Sequence, residues 1–311
     1  MLVILKGTWS ILPGGALVVA DEQVPISSEP VYSGEPGQSS LIYDTDVILE
    51  KTGTDCVLIG HAWALRSGEP HVDVTFAVGP VKRHARVFGE RRWSRTGAGA
   101  ATIARIAPID KIPLTWENAF GGADTTPQDP ADHQFCAENP VGRGMIADRT
   151  TIDVNGLLLP NIEDPADLIG VPGQRPRPVG FGMVAPYWQP RAGYAGTCDE
   201  EWRKTVCPLP PIDQDPRFNS LAAPGLCTPQ HLAGAEQVLV EGASQAGTLS
   251  FSLPDITPHA SARFRHRDDG LDMKLDTVIV EPDDARLILI WRGVLNVHGR
   301  VHEIRHLHVG L

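Results

Sequence analysis

Three histidines near the C-terminus have the spacing of a metal site. His302, His306 and His308 are separated by even numbers of residues, so in an extended strand their imidazoles point to one face. Zinc accepts three imidazoles arranged in this way. No carboxylate stands at a position from which it would orient the rings, as histidine ligands normally require. The sequence therefore favours a structural role for these histidines and predicts no metal and no cofactor.

Acidic residues cluster in the proline-rich middle of the chain. A glycoside hydrolase needs two carboxyl groups about 5–9.5 Å apart on either side of a groove, and nearby tryptophans would stack on sugars. Adjacent acids in loops more often cap turns or face water, so no catalytic residue is predicted. The acids concerned are Glu163 and Asp164, Asp199 with Glu200 and Glu201, and Asp213 and Asp215.

The cysteines form an odd, scattered set without a CxxC pair. They are Cys56, Cys136, Cys198, Cys207 and Cys227. This pattern argues against a disulfide framework or a zinc knuckle and predicts buried free thiols. The GxSxG and GxxxxGK[ST] motifs of nucleophilic and nucleotide chemistry are missing as well.

Composition and charge narrow the class of protein. The 311-residue chain has 38 acidic residues against 27 Lys and Arg, a formal net charge of −11. Nucleic-acid binding needs a basic stripe, and an anionic membrane attracts basic segments, so neither partner is expected. The start MLVILKGTWSI has Lys6 inside its apolar run, without a basic leader or a small-residue cleavage site. We therefore expect a cytoplasmic protein.

Alternation of apolar and polar residues predicts strands in both flanks of the chain. The clearest examples are residues 72–78 and 249–253, and weaker ones are 56–64, 81–88, 238–241 and 275–280. Residues 286–297 and 300–309 flank His298-Gly299, a pair typical of a two-residue hairpin turn. Such a hairpin would set His306 opposite Trp291 and His308 opposite Leu289.

Helix is expected only in short pieces, because no long stretch keeps an apolar period of 3.6 residues. Helical turns are predicted at 165–169 and 199–204, the second capped by Asp199. Residues 116–230 hold 16 Pro and 12 Gly among 115 positions, which interrupts regular structure every few residues. Large aromatic residues among these prolines indicate ordered loops rather than a flexible linker.

We therefore expect a mainly β protein, β-sandwich-like or built from several sheets, with a long irregular Pro/Gly-rich segment. The predicted arrangement is a single domain over residues 1–311. Its strand-rich flanks, 1–115 and 231–311, share a sheet system, and the loop-rich insert 116–230 wraps over it.

Four residues of the insert are candidate partner-binding anchors: Arg143, Trp188, Arg191 and Trp202. They lie in short segments that combine arginine, an amide or acid, glycine and tryptophan. Arginine and tryptophan are enriched at the centres of protein interfaces. The same residue types also satisfy polar groups in a loop-rich core, and that role is favoured for any single one of them.

The order of such segments along nearly the whole chain resembles the domain of unknown function 2169 family of bacteria. The matching segments are KTGTD (51–55), GHAWA (60–64), VFGERRW (87–93), IPLTWENAFGG (112–122), NPVGRG (139–144), LPNIEDP (159–165), PVGFGMVAPYWQPR (178–191), GTCDEEW (196–202) and LDTVIVEPDDARLILIWR (275–292). One segment alone would be a weak match, whereas the ordered series is specific.

Members of this family are often found with type VI secretion genes, so the resemblance implies a role in that system. It supplies no catalytic residues. The expected function is a non-catalytic adaptor or chaperone that binds a secreted effector and helps load it onto the spike complex. Its second partner would be the valine-glycine repeat spike protein or its tip domain. Two alternatives remain open, a carbohydrate-active hydrolase that uses loop carboxylates and a structural metal-binding β protein.

Overall fold

The computed structural model describes residues 1–95, 99–147, 153–264, 267–295, 297 and 301–310. Within these ranges the chain is mainly β, which confirms the predicted fold class. One six-residue α-helix and several 3-10 turns are the only helical pieces there.

The strands, numbered in chain order, are β1 (Leu2–Ile11), β2 (Leu17–Val19), β3 (Val31–Tyr32), β4 (Leu41–Tyr43), β5 (Asp55–Leu58), β6 (His61–Trp63), β7 (His71–Val78), β8 (Val81–Phe88), β9 (Trp93–Ser94), β10 (Thr102–Ile103), β11 (Lys111–Pro113), β12 (Phe120–Gly121), β13 (Ala123–Asp124), β14 (Gln134–Phe135), β15 (Arg143–Gly144), β16 (Ile162–Glu163), β17 (Gln237–Glu241), β18 (Leu249–Ser252), β19 (His259–Arg263), β20 (Asp268–Asp272), β21 (Lys274–Glu281), β22 (Arg286–Val294) and β23 (His306–Gly310). The α-helix is α1 (Glu200–Thr205), and the 3-10 turns are Trp116–Asn118, Pro130–Asp132, Arg191–Tyr194, Pro216–Asn219, Pro282–Asp284 and Val301–Glu303.

Two five-stranded sheets organise the described residues. The first has the order β2-β1-β22-β21-β5, and the second has the order β16-β8-β7-β17-β18. In both sheets a strand from residues 1–115 lies next to one from residues 231–311: β1 next to β22 in the first sheet, and β7 next to β17 in the second. Smaller pairs of strands, and the three-stranded sheet β20-β19-β23, surround them.

The first sheet has an apolar inner face. Residues paired across neighbouring strands point to the same side, so the register places Leu5, Trp291 and Leu275 together on this face. These residues belong to the same apolar cluster as Val74 and Phe76 of the second sheet. The core of the protein therefore lies against this face.

Glycine at position 7 makes the inner packing of two tryptophans feasible. The rings of Trp9 and Trp291 meet edge to face, with centroids 5.9 Å apart. A Cβ atom on Gly7 would lie 2.6 Å from the ring of Trp9, which no side chain tolerates. Gly7 thus serves close packing within β1.

The outer face of the same sheet carries both polar and apolar side chains and is covered by residues 20–51, which we call the strap. Arg292 on this face donates from Nη1 to the backbone oxygens of Asp46 and Ile48 at 2.7 and 2.8 Å. Lys6 Nζ lies 2.9 Å from the carboxylate of Asp46. A cavity of about 310 Å³ remains between the strap and the sheet.

The predicted C-terminal hairpin is wrong. Strand β22 pairs with β1 and β21, and β23 pairs instead with β19, where His306 lies opposite Arg263 and His308 opposite Ser261. A strand has only two edges, and both edges of β22 are occupied before β23 is reached. The proposed turn at His298-Gly299 lies outside the described residues.

Local predictions have mixed outcomes. Strands at 72–78, 81–88, 238–241 and 275–280 are confirmed, and the predicted strand 249–253 corresponds to β18. The predicted strand 56–64 is divided into β5 and β6 at Ile59-Gly60. Asp199 caps α1 as predicted, because its side chain accepts a hydrogen bond from Trp202 N. Residues 165–169 form a turn rather than a helix.

Candidate functional site

Two of the predicted anchors, Trp188 and Arg191, lie in the core. The ring of Trp188 is fully buried and meets Trp116 edge to face at 6.1 Å. The guanidinium of Arg191 is buried, and its Nη1 lies 2.7 Å from the carboxylate of Asp44 and 2.7 Å from Val184 O. In this conformation both residues bind parts of their own chain together and offer no surface to a partner.

Arg143 is half-buried and connects two loops of the insert. Its Nε donates to Glu117 O at 2.7 Å, and Nη1 donates to Asn161 Oδ1 at 3.4 Å. Burial lowers the pKa of Arg143, which the charge of Glu117 partly opposes. A partner carboxylate would have to compete with these internal acceptors.

Trp202, the fourth predicted anchor, lies in a short protrusion that we call the α1 tip, residues 199–215. Trp202 is half-buried, and its Nε1 donates to Leu209 O at 3.0 Å. Beyond it, the side chains of Leu209 and Ile212 are 66% and 95% exposed. The structure thus brings a tryptophan next to an uncovered apolar loop.

The base of the α1 tip is fixed by hydrogen bonds. Asp213 accepts from Thr197 N at 2.9 Å and from Thr197 Oγ1 at 2.6 Å, and these bonds hold the pKa of Asp213 below its usual value. Asp215 is paired with Arg217 at 2.6 Å, which lowers the pKa of Asp215 to about 2. A fixed apolar tip loses little conformational entropy on binding, which favours recognition.

Sequence reasoning missed the exposed side chains of the α1 tip. Leu209 and Ile212 stand in the segment LPPI, where two prolines exclude helix and strand. Apolar residues held between prolines are the signal that marks such an exposed loop. Burial, which decides their role, is not a property of the local sequence.

A second feature is a cleft of about 430 Å³ beside the end of β5 and β21. Asp283 lies at its rim, with Oδ2 2.5 Å from His61 Nδ1 and Oδ1 2.7 Å from Trp63 Nε1. The Lys111 ammonium lies over the Trp63 ring, 4.4 Å from the centroid. His61 and Asp283 are 222 positions apart, so no local pattern could predict the pair.

Two hydroxyl groups that line this cleft already have acceptors. Ser40 Oγ donates to Glu117, and Tyr43 OH donates to Glu281. Burial, together with the bond to Glu281, raises the pKa of Tyr43. Neither Ser40 nor Tyr43 is therefore placed as a hydroxyl nucleophile that the His61–Asp283 pair activates.

The carboxylates considered for glycoside hydrolysis hold the fold together instead. Glu163 is buried against the guanidinium of Arg91 and also accepts from Ile169 N at 3.0 Å. Burial raises the pKa of Glu163, while Arg91 opposes the rise. Asp164 accepts from Ala166 N at 2.9 Å within a turn. Asp213 and Asp215 make their contacts at the base of the α1 tip, with Thr197 and Arg217.

The predicted histidine face is only partly formed. His306 and His308 lie exposed on β23, whereas His302 belongs to a 3-10 turn and not to that strand. Within the part of the chain that the structure describes, no group of three or more His, Cys, Asp or Glu residues is arranged to hold a metal ion.

The cysteines divide into two classes. Cys56 and Cys136 are buried and Cys227 is half-buried, and burial raises the pKa of each of these thiols. Cys198 and Cys207 are exposed beside α1, so the prediction of buried thiols is wrong for these two. All five are free.

The bacterial family DUF2169, described as an uncharacterized protein conserved in bacteria, matches residues 1–292. No curated protein and no solved structure matches the chain. In the described ranges, no helix is both long and apolar enough to cross a membrane.

Proposed function

We propose, from the premise that this chain belongs to the bacterial family DUF2169, that it is a non-catalytic adaptor or chaperone of type VI secretion. It binds a secreted effector in the cytoplasm and helps load it onto the spike complex. The partners in this proposal are the effector and the valine-glycine repeat spike protein or its tip domain. The resemblance of the ordered segments to this family supports the role.

The observation that carries the proposal is the α1 tip. Burying an exposed Leu or Ile side chain contributes about 1.5–3 kcal/mol, so Leu209 and Ile212 together offer enough for an interface centre. Trp202 adds an aromatic surface beside them. The hydrogen bonds of Asp213 to Thr197 keep the loop in shape before a partner arrives.

Co-expression with a candidate effector chosen from the genes on either side of this one tests the proposal. We expect the effector to co-purify with the chain and to be more soluble in its presence. Ile212→Asp and Leu209→Asp should reduce the recovered effector at least tenfold, because a charge would be buried in the interface. The matched control is Leu65→Asp, which places the same charge at a 62% exposed leucine after β6.

Two results would contradict the proposal at different levels. If the effector neither co-purifies nor changes in solubility, the adaptor role is wrong. If it co-purifies equally with the Ile212→Asp and Leu65→Asp variants, the role stands and the α1 tip is not the binding surface. The two alternative functions are not proposed. Glu163 and Asp164, which a hydrolase would use, are held in an ion pair and a turn, and among the described residues no group of three or more His, Cys, Asp or Glu is arranged to hold a metal ion.

A further inference from the structure

One edge of the first sheet is only half covered. Met1 exchanges backbone hydrogen bonds with Leu295, and the register from Leu2↔Val294 to Ser10↔Arg286 continues without a bulge. In an antiparallel ladder only alternate residues of a strand bond to a given neighbour. The N–H and C=O groups of Val3, Leu5 and Gly7 therefore face β22, whereas those of Leu2, Ile4 and Lys6 point the other way.

Among the residues that the structure describes, the outward groups of β1 have backbone partners only in its second half. Strand β2 pairs with Trp9 to Ile11, and Ala20 N donates to Thr8 O at 3.0 Å. Among the described residues, nothing bonds to the outward backbone groups of Leu2, Ile4 and Lys6. We call these three donors and three acceptors the β1 edge. They have the spacing of an unpaired edge strand, which can hydrogen-bond to a strand of another chain.

Gln23 shows where the covered part of the edge ends. Its carboxamide accepts from Thr8 N at 2.8 Å and donates to Thr8 O at 3.0 Å. The side chain thus takes the place of one peptide group of a neighbouring strand at Thr8. The chain then leaves the edge and continues as the strap, with Lys6 Nζ bonded to Pro25 O.

The side chains beside the β1 edge are mostly apolar and incompletely covered. Leu2 and Ile4 on the outer face and Leu5 on the inner face are half-buried, whereas residues 287–293 of the central strand β22 are buried. Val294, which lies opposite Leu2, is 55% exposed. A guest strand with β-branched apolar residues would cover these side chains on both faces.

A second copy of the chain is a poorer guest than a segment of another protein. Each copy carries a net charge of −11, which opposes self-association. An edge of three outward residues on each side would also bury far less than the roughly 1,200–2,000 Å² of a stable interface. A segment of a partner protein need not supply the whole interface at this edge, because the rest of that partner can contact other surfaces of the chain.

We propose that the β1 edge binds an extended, apolar, non-acidic segment of a partner protein, which adds to the first sheet as a sixth strand. Backbone hydrogen bonds to Leu2, Ile4 and Lys6 give the affinity, and contact with the half-buried side chains of Leu2 and Leu5 favours apolar side chains in the guest. This surface is separate from the α1 tip and does not depend on which partner the adaptor carries.

Amide hydrogen exchange measured by NMR tests the edge in the full chain. In the free protein, the amides of Ile4 and Lys6 should exchange at least tenfold faster than those of Val3 and Leu5. A saturating amount of the peptide acetyl-Lys-Val-Thr-Val-Thr-Val-Lys-amide should slow Ile4 and Lys6 at least tenfold and leave Val3 and Leu5 unchanged. Protection of Ile4 and Lys6 before peptide is added, or no change after it, would overturn the proposal.

Backbone-methylated peptides give a sharper comparison. Only alternate N–H groups of a guest strand face its neighbour. Methylation of the three valine nitrogens and methylation of the two threonine nitrogens should therefore differ, one peptide losing at least tenfold in affinity and the other retaining it. Equal binding by both methylated peptides would contradict strand addition.

A substitution in the protein completes the test. Ile4→Pro removes an outward N–H while the bonds of β1 to β22 remain, and proline is accepted on edge strands. We expect at least tenfold weaker peptide binding, whereas Ile4→Val should bind as the unchanged protein does. If Ile4→Pro does not fold, the two methylated peptides decide. A dimer that sedimentation detects, and that Ile4→Pro dissolves, would overturn the proposal in favour of a second copy.

The peptide experiments need no effector. Their failure would remove the edge proposal and leave the adaptor role standing. Failure of effector co-purification would remove the adaptor role and leave the edge proposal to the peptide measurements.

Discussion

The two faces of the first sheet are both buried, but by different means. The inner face is apolar, and Trp9, Leu289 and Trp291 pack there with less than a tenth of each side chain exposed. The outer face carries Lys6 and Arg292, and the strap covers it through ion pairs and backbone hydrogen bonds. One face of the sheet thus packs against the apolar core. On the other face, Lys6 and Arg292 contact the strap, and we call these contacts the polar seam.

The two faces differ in whether they fix the position of the segment that covers them. Apolar packing is non-directional, so it stabilises the sheet without selecting one position for the covering segment. A buried ion pair gains little net stability, because desolvation offsets the attraction, yet it penalises every arrangement in which a charge is left alone. The seam therefore fixes where the strap lies, and the core supplies most of the stability.

The largest expected effect is at the polar seam. Arg292→Met leaves the buried carboxylate of Asp276 without its partner and removes the donor to Asp46 O and Ile48 O. We expect a loss of about 3–5 kcal/mol in the free energy of unfolding, measured by urea denaturation. Adding Asp276→Leu should recover part of the loss, because the unpaired charge is then gone.

Lys274 provides the matched control for Arg292. It lies opposite Arg292 in the register and pairs with Glu50 of the strap at 2.7 Å, but both side chains are about half exposed. Lys274→Met should therefore cost less than about 1 kcal/mol. Equal losses for Lys274→Met and Arg292→Met would mean that burial does not distinguish the two pairs.

The next largest effect is expected at the inner face of the first sheet. Leu289→Ala should lower the free energy of unfolding by about 3 kcal/mol, because the tightly packed surroundings leave a cavity. Its neighbour Ile290 points outward and lines the existing cavity below the strap. Ile290→Ala should cost roughly half as much, since its loss enlarges a space that already exists. The reverse order in urea denaturation would show that the outer face is the better packed one.

The smallest effect is a pH dependence at one end of the strap. Burial opposes ionisation of Glu117, but hydrogen bonds from Ser40 N and Oγ outweigh it and hold the pKa of Glu117 below its usual value. A carboxyl with a lowered pKa stabilises the fold above its unfolded pKa of about 4.3, and this contribution is lost as the pH falls through the folded pKa.

Glu117→Gln should accordingly cost about 1 kcal/mol at pH 7. The stability curves of the two proteins, measured by urea denaturation from pH 7 to pH 3, should converge at the acid end. A constant difference across this range would show that the charge of Glu117 does not hold Ser40 and the strap.

Local patterns predicted local structure well. The alternation in residues 72–78 produces β7, and Asp199 caps α1, because both depend on neighbours within a few positions. The hairpin at the C-terminus was predicted from the same kind of pattern and is wrong. Alternation tells a strand from a helix, but it does not tell which strand is the neighbour.

The candidate sites show the same limit. Trp202 was predicted as an anchor from its residue type and lies half-buried in the α1 tip, whereas Trp188, chosen for the same reason, is fully buried. Residue type gives the chemistry that a side chain can offer. Only the packing of the chain decides whether a partner can reach it.

The amino-acid sequence by itself determined the mainly β class, the acidic charge and the family, since composition, periodicity and ordered segments are properties of the chain alone. The tertiary structure decided that Arg292 meets Asp46 across 246 positions, and that β2 pairs only with residues 9–11 of β1. Such pairings depend on which distant segments compete for the same surface, and short-range physical preferences carry no information about that competition.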